Sequence, residues 1–158
     1  MQNRHRRDRS IAWSFVGAQV LLLGAIVMLP RNATWISGAG AMTIANTLIA
    51  AGIALGVWSA SFLKKGLTPS PLPNGSIDLV TKGPYVAARH PMYSAVIILC
   101  IGLSVRSGSL LVVIMTVALI GLFSVKSRWE EMHLVDSFPG YRKYSESTGR
   151  FLPLRRIV

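Results

Sequence analysis

Four stretches of the chain, residues 11–29, 41–63, 92–105 and 109–125, contain no Asp, Glu, Lys or Arg, and polar, basic segments separate them. A helix rises about 1.5 Å per residue, so crossing roughly 30 Å of hydrocarbon takes about 20 residues. The first two stretches are long enough to span; the last two are short. The short pair predicts a tight helical hairpin turning at Arg106-Ser107-Gly108-Ser109, with the Arg106 guanidinium reaching toward headgroups. The expected fold is an all-α integral membrane bundle of about four transmembrane helices, the last two a helical hairpin, followed by a cytoplasmic C-terminal helical segment. One membrane domain then covers residues 1–158. It divides into a basic tail (1–10), two spans (11–63), a connector (64–90), the hairpin (91–125) and the C-terminal segment (126–158).

Composition agrees with a lipid solvent. Of 158 residues, 51% are hydrophobic and only 15% charged, yet the formal charge is +11, a combination that marks a membrane protein with basic edges. Apart from Arg31 and Arg106, all the basic residues fall in the N-terminal tail, the middle connector and the C-terminal segment. By the positive-inside rule both termini and the connector are cytoplasmic, and the expected location is the plasma (inner) membrane of a prokaryote. The charge is thus read as topology. No basic stripe interleaved with aromatics on a soluble face suggests nucleic-acid binding.

The first stretch follows a basic tail as a signal peptide would, but its length exceeds the roughly 7–15 residues of a signal core and no small-residue cleavage site follows it. The single cysteine, Cys100, lies in an apolar run and is expected to pack. Gly52, Gly56 and Ala60 form a small-residue ridge on the second span, suited to close packing inside the bundle or to dimerisation. The connector carries Pro69, Pro71 and Pro73, and a turn at Asn74-Gly75 leads into an extended segment to Val80. That segment is read either as a solvated connector or as a cover over a ligand.

Chemistry-bearing residues gather in two blocks, each where an apolar stretch meets a polar one. In the first, Pro91 suits the first helical position, so His90 stands at the cap with Tyr93 one turn in, sharing a face. Arg89 beside the free amides of that helix start makes an anion site for a carboxylate or phosphate. In the second, Arg128, Glu130, Glu131 and His133 continue the fourth helix out of the membrane. Paired carboxylates there want a cation, although Arg128 and Glu131 stand one turn apart and could simply pair. Glu130 and His133 make one Glu-x-x-His pair, half of a di-iron motif without its second copy, and no metal is expected.

Gly83-Pro84-Tyr85, Arg89-His90-Pro91-Met92-Tyr93, Arg128 with Glu130-Glu131 and Leu134, Tyr141 with Tyr144, and Arg150-Phe151-Leu152-Pro153 follow one another in a fixed order. In this the chain resembles the isoprenylcysteine carboxyl methyltransferase and phospholipid methyltransferase superfamily over roughly residues 82–154. The resemblance implies methyl transfer from S-adenosylmethionine without a Rossmann domain. It implies that His90, Tyr93, Glu130 and Glu131 bind that cofactor, with Arg89 on its carboxylate and Arg128 orienting an anionic acceptor, the two arginines being the candidate catalytic residues. Tyr85, Tyr141, Tyr144 and Arg150 are candidates for closing the pocket; the C-terminal tyrosines and Arg150 could equally be interfacial anchors. One departure is Ser94-Ala95, where the family often has glycine two residues after the tyrosine; a side chain there would narrow the approach to the cofactor.

The implied acceptor is lipophilic: an isoprenoid or other carboxylate, a phospholipid amine or a hydrophobic thiol. Other readings are a non-catalytic bundle or a small transporter. Coupled transport usually needs an ionisable group within the membrane, and the four stretches offer none.

Overall fold

The computed structural model describes residues 2–29, 38–63 and 79–153. Among the described residues the protein is all-helical: α1 (Gln2–Met28), α2 (Ala39–Leu63), a 3-10 turn (Gly83–Val86), α3 (Pro91–Ser107), α4 (Leu110–Ser137) and α5 (Tyr141–Ser147). The turn expected at Asn74-Gly75, with most of the extended segment after it, lies outside the described residues.

Local chemistry sets the ends of α3. His90 caps it with non-helical backbone (φ −123°, ψ 59°), Pro91 opens it, and Gly108 closes it in the left-handed region at φ 61°, where a residue without Cβ is unstrained. Arg106 does not run free as expected: its Nη1 donates to the Asn46 Oδ1 on α2, because a carbonyl acceptor stands within reach one helix away.

Among the described residues three helices are long and apolar enough to cross a membrane, over Arg6–Met28, Ala39–Leu63 and Leu110–Ser137. The third of these does not stop at Val125, where the apolar stretch ends, but continues without a break to Ser137. Helix α3 has 17 residues, about 26 Å at 1.5 Å each, a little short of a bilayer core of roughly 30 Å.

Helices α2 and α3 meet backbone to backbone. A Cβ on Gly52 would lie 2.8 Å from the Ala95 carbonyl oxygen and 2.8 Å from the Leu99 Cβ, and one on Gly102 would lie 2.9 Å from the Ala45 oxygen. Gly56, on the same ridge, is looser, 3.7 Å from Ala95 Cβ. The ridge thus packs inside the bundle, and Ala95 spends its side chain on α2. The apolar core lies among α1, α3 and α4, on Ile26, Cys100, Val112, Leu119 and Phe123. Ser104 and Thr116 share a buried hydroxyl bond of 2.8 Å between α3 and α4. Near the polar end α1 rests on α4 through Phe15 and Trp129, whose ring centroids are 5.9 Å apart, and through His133 Nε2, 3.8 Å from Asp8 Oδ2.

Candidate functional site

A backbone strap builds the site. The chain just ahead of α3 pairs in parallel with the chain after α5 through the bridge of Ala88 and Gly149. The Arg89 amide donates to the Gly149 carbonyl at 2.9 Å and the His90 amide to the Arg150 carbonyl at 3.0 Å. Ser94 Oγ continues the zipper, donating to the Phe151 carbonyl at 2.6 Å. Ser94 therefore anchors the C-terminal segment, while Ala95, the position that departs from the family pattern, packs against α2. These bonds satisfy amides that the start of α3 would otherwise leave open.

One carboxylate locks the strap to α4. Glu131 Oε1 accepts from Arg89 Nε at 3.0 Å, His90 Nε2 at 3.1 Å and Arg150 Nε at 3.1 Å, and its Oε2 accepts from Arg150 Nη2 at 2.7 Å. The Arg150 contact is bidentate, the geometry in which a guanidinium and a carboxylate fit best. Arg89 is committed further, its Nη1 donating to the carbonyls of Ser145, at 2.6 Å, and Thr148. The residue expected to receive a ligand's carboxylate thus already holds α4 and α5. Arg150 is stabilised as a cation by its hydrogen bonds to Glu131, which outweigh burial.

Glu130 stands in a different setting. Its Oε2 accepts from the Tyr93 hydroxyl at 2.8 Å and lies 3.7 Å from His90 Nδ1, and no arginine among the described residues pairs with it. The rings form a stack: His90 on Tyr93 at 5.2 Å and 3°, Tyr93 on Phe123 at 4.6 Å and 12°. This stack fixes the tyrosine hydroxyl over the carboxylate. Two neighbouring glutamates, read from the sequence as equals, therefore differ in what they have left to offer.

The flanking tyrosines close around them. Tyr144 donates its hydroxyl to the Tyr85 carbonyl, tying α5 to the 3-10 turn. Burial, and then the negative charge of Glu130, push Tyr85 up to about 12. Burial also raises Tyr144 to about 12, against the pull of the Arg89 cation. Tyr141 is 2% exposed, and its buried hydroxyl has no hydrogen-bond partner among the described residues. A cavity of about 700 Å³ opens beside it, walled by Arg89, Arg128, Glu131, Met132, Tyr141 and Arg150 among others. Arg128 is exposed at this cavity and makes no ion pair among the described residues. The intrahelical pairing with Glu131 is not made, since Glu131 belongs to Arg89 and Arg150.

A second, apolar cavity of about 310 Å³ lies across the strap, between α2 and α3, with Leu55, Trp58, Ile97, Ile98, Phe151 and Leu152 among its walls. Sequence reasoning also missed Lys126 and Gln19. Lys126, counted with the cytoplasmic charge, is 2% exposed and donates to Gln19 Oε1 at 2.7 Å. A signal for this was available: buried Val112, Thr116, Leu119 and Phe123 step by four and three residues, and Lys126 falls on the next step of that core stripe.

Two curated proteins are similar to this chain. Over 76 residues it is 33% identical to the cobalt-zinc-cadmium resistance protein CzcN of Cupriavidus metallidurans, covering 48% of this chain and 35% of that protein. Over 148 residues it is 27% identical to the nickel-cobalt-cadmium resistance protein NccN of Alcaligenes xylosoxydans xylosoxydans, covering 93% of this chain and 65% of that protein. The chain thus spans less than two thirds of the length of either relative. No solved structure matches it. Residues 41–140, which run from α2 to the start of α5, match the family described as phospholipid methyltransferase, and the chain belongs to that family.

Proposed function

We propose that this protein is an S-adenosylmethionine-dependent methyltransferase acting on a lipophilic acceptor at the cytoplasmic face of the plasma membrane, with four membrane helices and both termini inside. The carrying observation is Tyr141, whose buried hydroxyl has no partner among the described residues, in the wall of a cavity of about 700 Å³ that sets acidic and basic side chains beside apolar Met132 and Val135. That size lies within the roughly 300–1,000 Å³ of small-molecule sites. The donor set suits a ligand that carries an ammonium, a carboxylate, hydroxyls and a flat ring system.

Glu130 with Tyr93, which are not among the residues that line this cavity, would supply the anionic, hydrogen-bonding side for the cofactor's cationic groups. Tyr141 offers it a buried hydroxyl. Arg128, with no ion pair among the described residues, is the cation for an acidic group of cofactor or acceptor. His90, Arg89, Glu131 and Arg150 hold the walls in register, and Tyr85 and Tyr144 close the side toward α5. S-adenosylmethionine, when bound, supplies an electrophilic methyl group. The protein's share is then orientation and exclusion of water rather than acid–base chemistry. The apolar cavity across the strap offers the acceptor's hydrocarbon part a seat.

Both relatives are named for resistance to heavy metals. Among the described residues no three His, Cys, Asp or Glu side chains gather into a metal site, so we carry no metal-ligating role over to this chain.

Calorimetric titration of the detergent-purified protein with S-adenosylmethionine and S-adenosylhomocysteine tests the reading. Saturable binding is expected, weakened at least tenfold in Glu130→Gln and about three- to tenfold in Tyr141→Phe, the value of one hydrogen bond. Glu131 is a poor probe because its loss also frees the strap. A folded wild type that binds neither ligand sinks the proposal.

A further inference from the structure

Among the described residues Lys126 is the one buried lysine or arginine, and the proposed chemistry leaves it without a task. It is 2% exposed, bonded through Nζ to Gln19 on α1 at 2.7 Å, and 5.3 Å from the centroid of the Tyr93 ring. Glu130 follows it by four residues on α4, one helical turn away. Its partner Gln19 is neutral, so the pair does not cancel the charge. Burying an ammonium costs several kcal/mol, and two apolar side chains of similar size would join α1 to α4 with less loss. A purely structural role therefore explains the position poorly.

The distribution of charge around the two glutamates indicates another role. Glu131 has Arg89, Arg150 and His90. Around Glu130 stand Lys126 and Glu131 on its own helix, Tyr93 and His90 at the start of α3, Tyr85 on the 3-10 turn and Tyr141 on α5. In that set Lys126 is the lysine one helical turn before Glu130, and it lies under the ring whose hydroxyl donates to Glu130. An ammonium on the face of an aromatic ring is itself attracted to it, so Lys126 acts on both halves of the Tyr93–Glu130 pair.

We propose that Lys126, held by Gln19, is a positioning residue that fixes the Tyr93–Glu130 pair and favours its carboxylate form, tying α1 to the binding site. The inference rests on the cofactor reading above for its consequence, but not for its first test. In the ligand-free protein, infrared titration follows the Glu130 carboxyl band, assigned by its absence in Glu130→Gln. Lys126→Met is expected to move the pH at which that band appears upward by one unit or more, Lys126→Arg to restore it, and Gln19→Leu to give a smaller shift. An unmoved titration in a folded Lys126→Met protein overturns the proposal whether or not S-adenosylmethionine binds.

Where the wild type does bind S-adenosylmethionine, Lys126→Met should weaken it about tenfold, and the double variant with Glu130→Gln should bind no worse than Glu130→Gln alone. Additive losses would mean that Lys126 acts separately from Glu130 and would also overturn the proposal. Thermal unfolding of each variant separates these effects from simple loss of the α1–α4 contact.

Discussion

The α2–α3 seam and the polar end of α4 both bring distant backbone segments together, and they do it with opposite chemistry. At the seam, Gly52 and Gly102 let main chains touch, without a charged group at the contact. At the polar end, a strap whose halves lie 61 residues apart, Ala88 and Gly149, is held by one carboxylate and two guanidiniums. In lipid, apolar side chains gain little by leaving their solvent, so close packing does the work. Where water begins, ion pairs with well-placed hydrogen bonds set positions. One region should therefore respond to volume and the other to charge.

The largest effect is expected from Glu131→Ala. It strands Arg89, His90 and Arg150, and removing one partner of a half-buried ion cluster costs about 3 kcal/mol or more. Hydrogen exchange should then rise at the Arg89 and His90 amides, whose acceptors are on the strap, with little change in α2. Arg150→Lys, which keeps the charge but loses the bidentate geometry, should show a smaller rise at the same amides. Unchanged exchange in Glu131→Ala would mean that the backbone bridge holds by itself.

The seam should show the reverse pattern. Gly52→Ala sets a methyl 2.8 Å from the Ala95 carbonyl oxygen, and overpacking of this kind costs about 1–3 kcal/mol. Gly121→Ala, where nothing lies within 4 Å, should be neutral or gain up to about 1 kcal/mol from helix propensity. Thermal unfolding in detergent compares the two. Equal melting temperatures would show that α2 and α3 can separate without loss, and the contrast between the regions would fail.

The sequence made the helices legible because their signals are local. Apolar runs, Pro91 at a helix start and Gly108 at a turn each act within a few residues. The same holds for the stacked His90 and Tyr93, three residues apart at the start of one helix. What could not be read was non-local. Gly102 looks like any glycine in an apolar run until Ala45 and Ile49 are placed against it. The strap depends on pairing across α3, α4 and α5, which no periodicity announces. Glu130 and Glu131 are adjacent in sequence, and their division into a carboxylate locked by arginines and one facing Tyr93 follows only from which side of α4 the strap crosses. Lys126 was legible but misread. Its charge placed it with the basic C-terminal segment, whereas its spacing from Phe123 placed it in the core.

The smallest effect sharpens the comparison on the polar side. Tyr144 donates to the Tyr85 carbonyl, and Tyr144→Phe should cost about 1 kcal/mol at pH 8, the value of one hydrogen bond. Above pH 10 the two proteins should converge. Burial raises Tyr144 and Tyr85 from 10.0 to about 12 in the fold, so below pH 10 both the folded and unfolded chains keep these protons and the full contribution is present. Between pH 10 and 12 the unfolded chain releases them while the fold cannot, and stability falls. The variant has one such phenol fewer, so its stability should fall less steeply with pH than the wild type's. Parallel curves from pH 9 to 12 would show that Tyr144 gives up its proton as readily in the fold as outside it, and that α5 is held by the Arg89 contacts to Ser145 and Thr148 rather than by this hydroxyl.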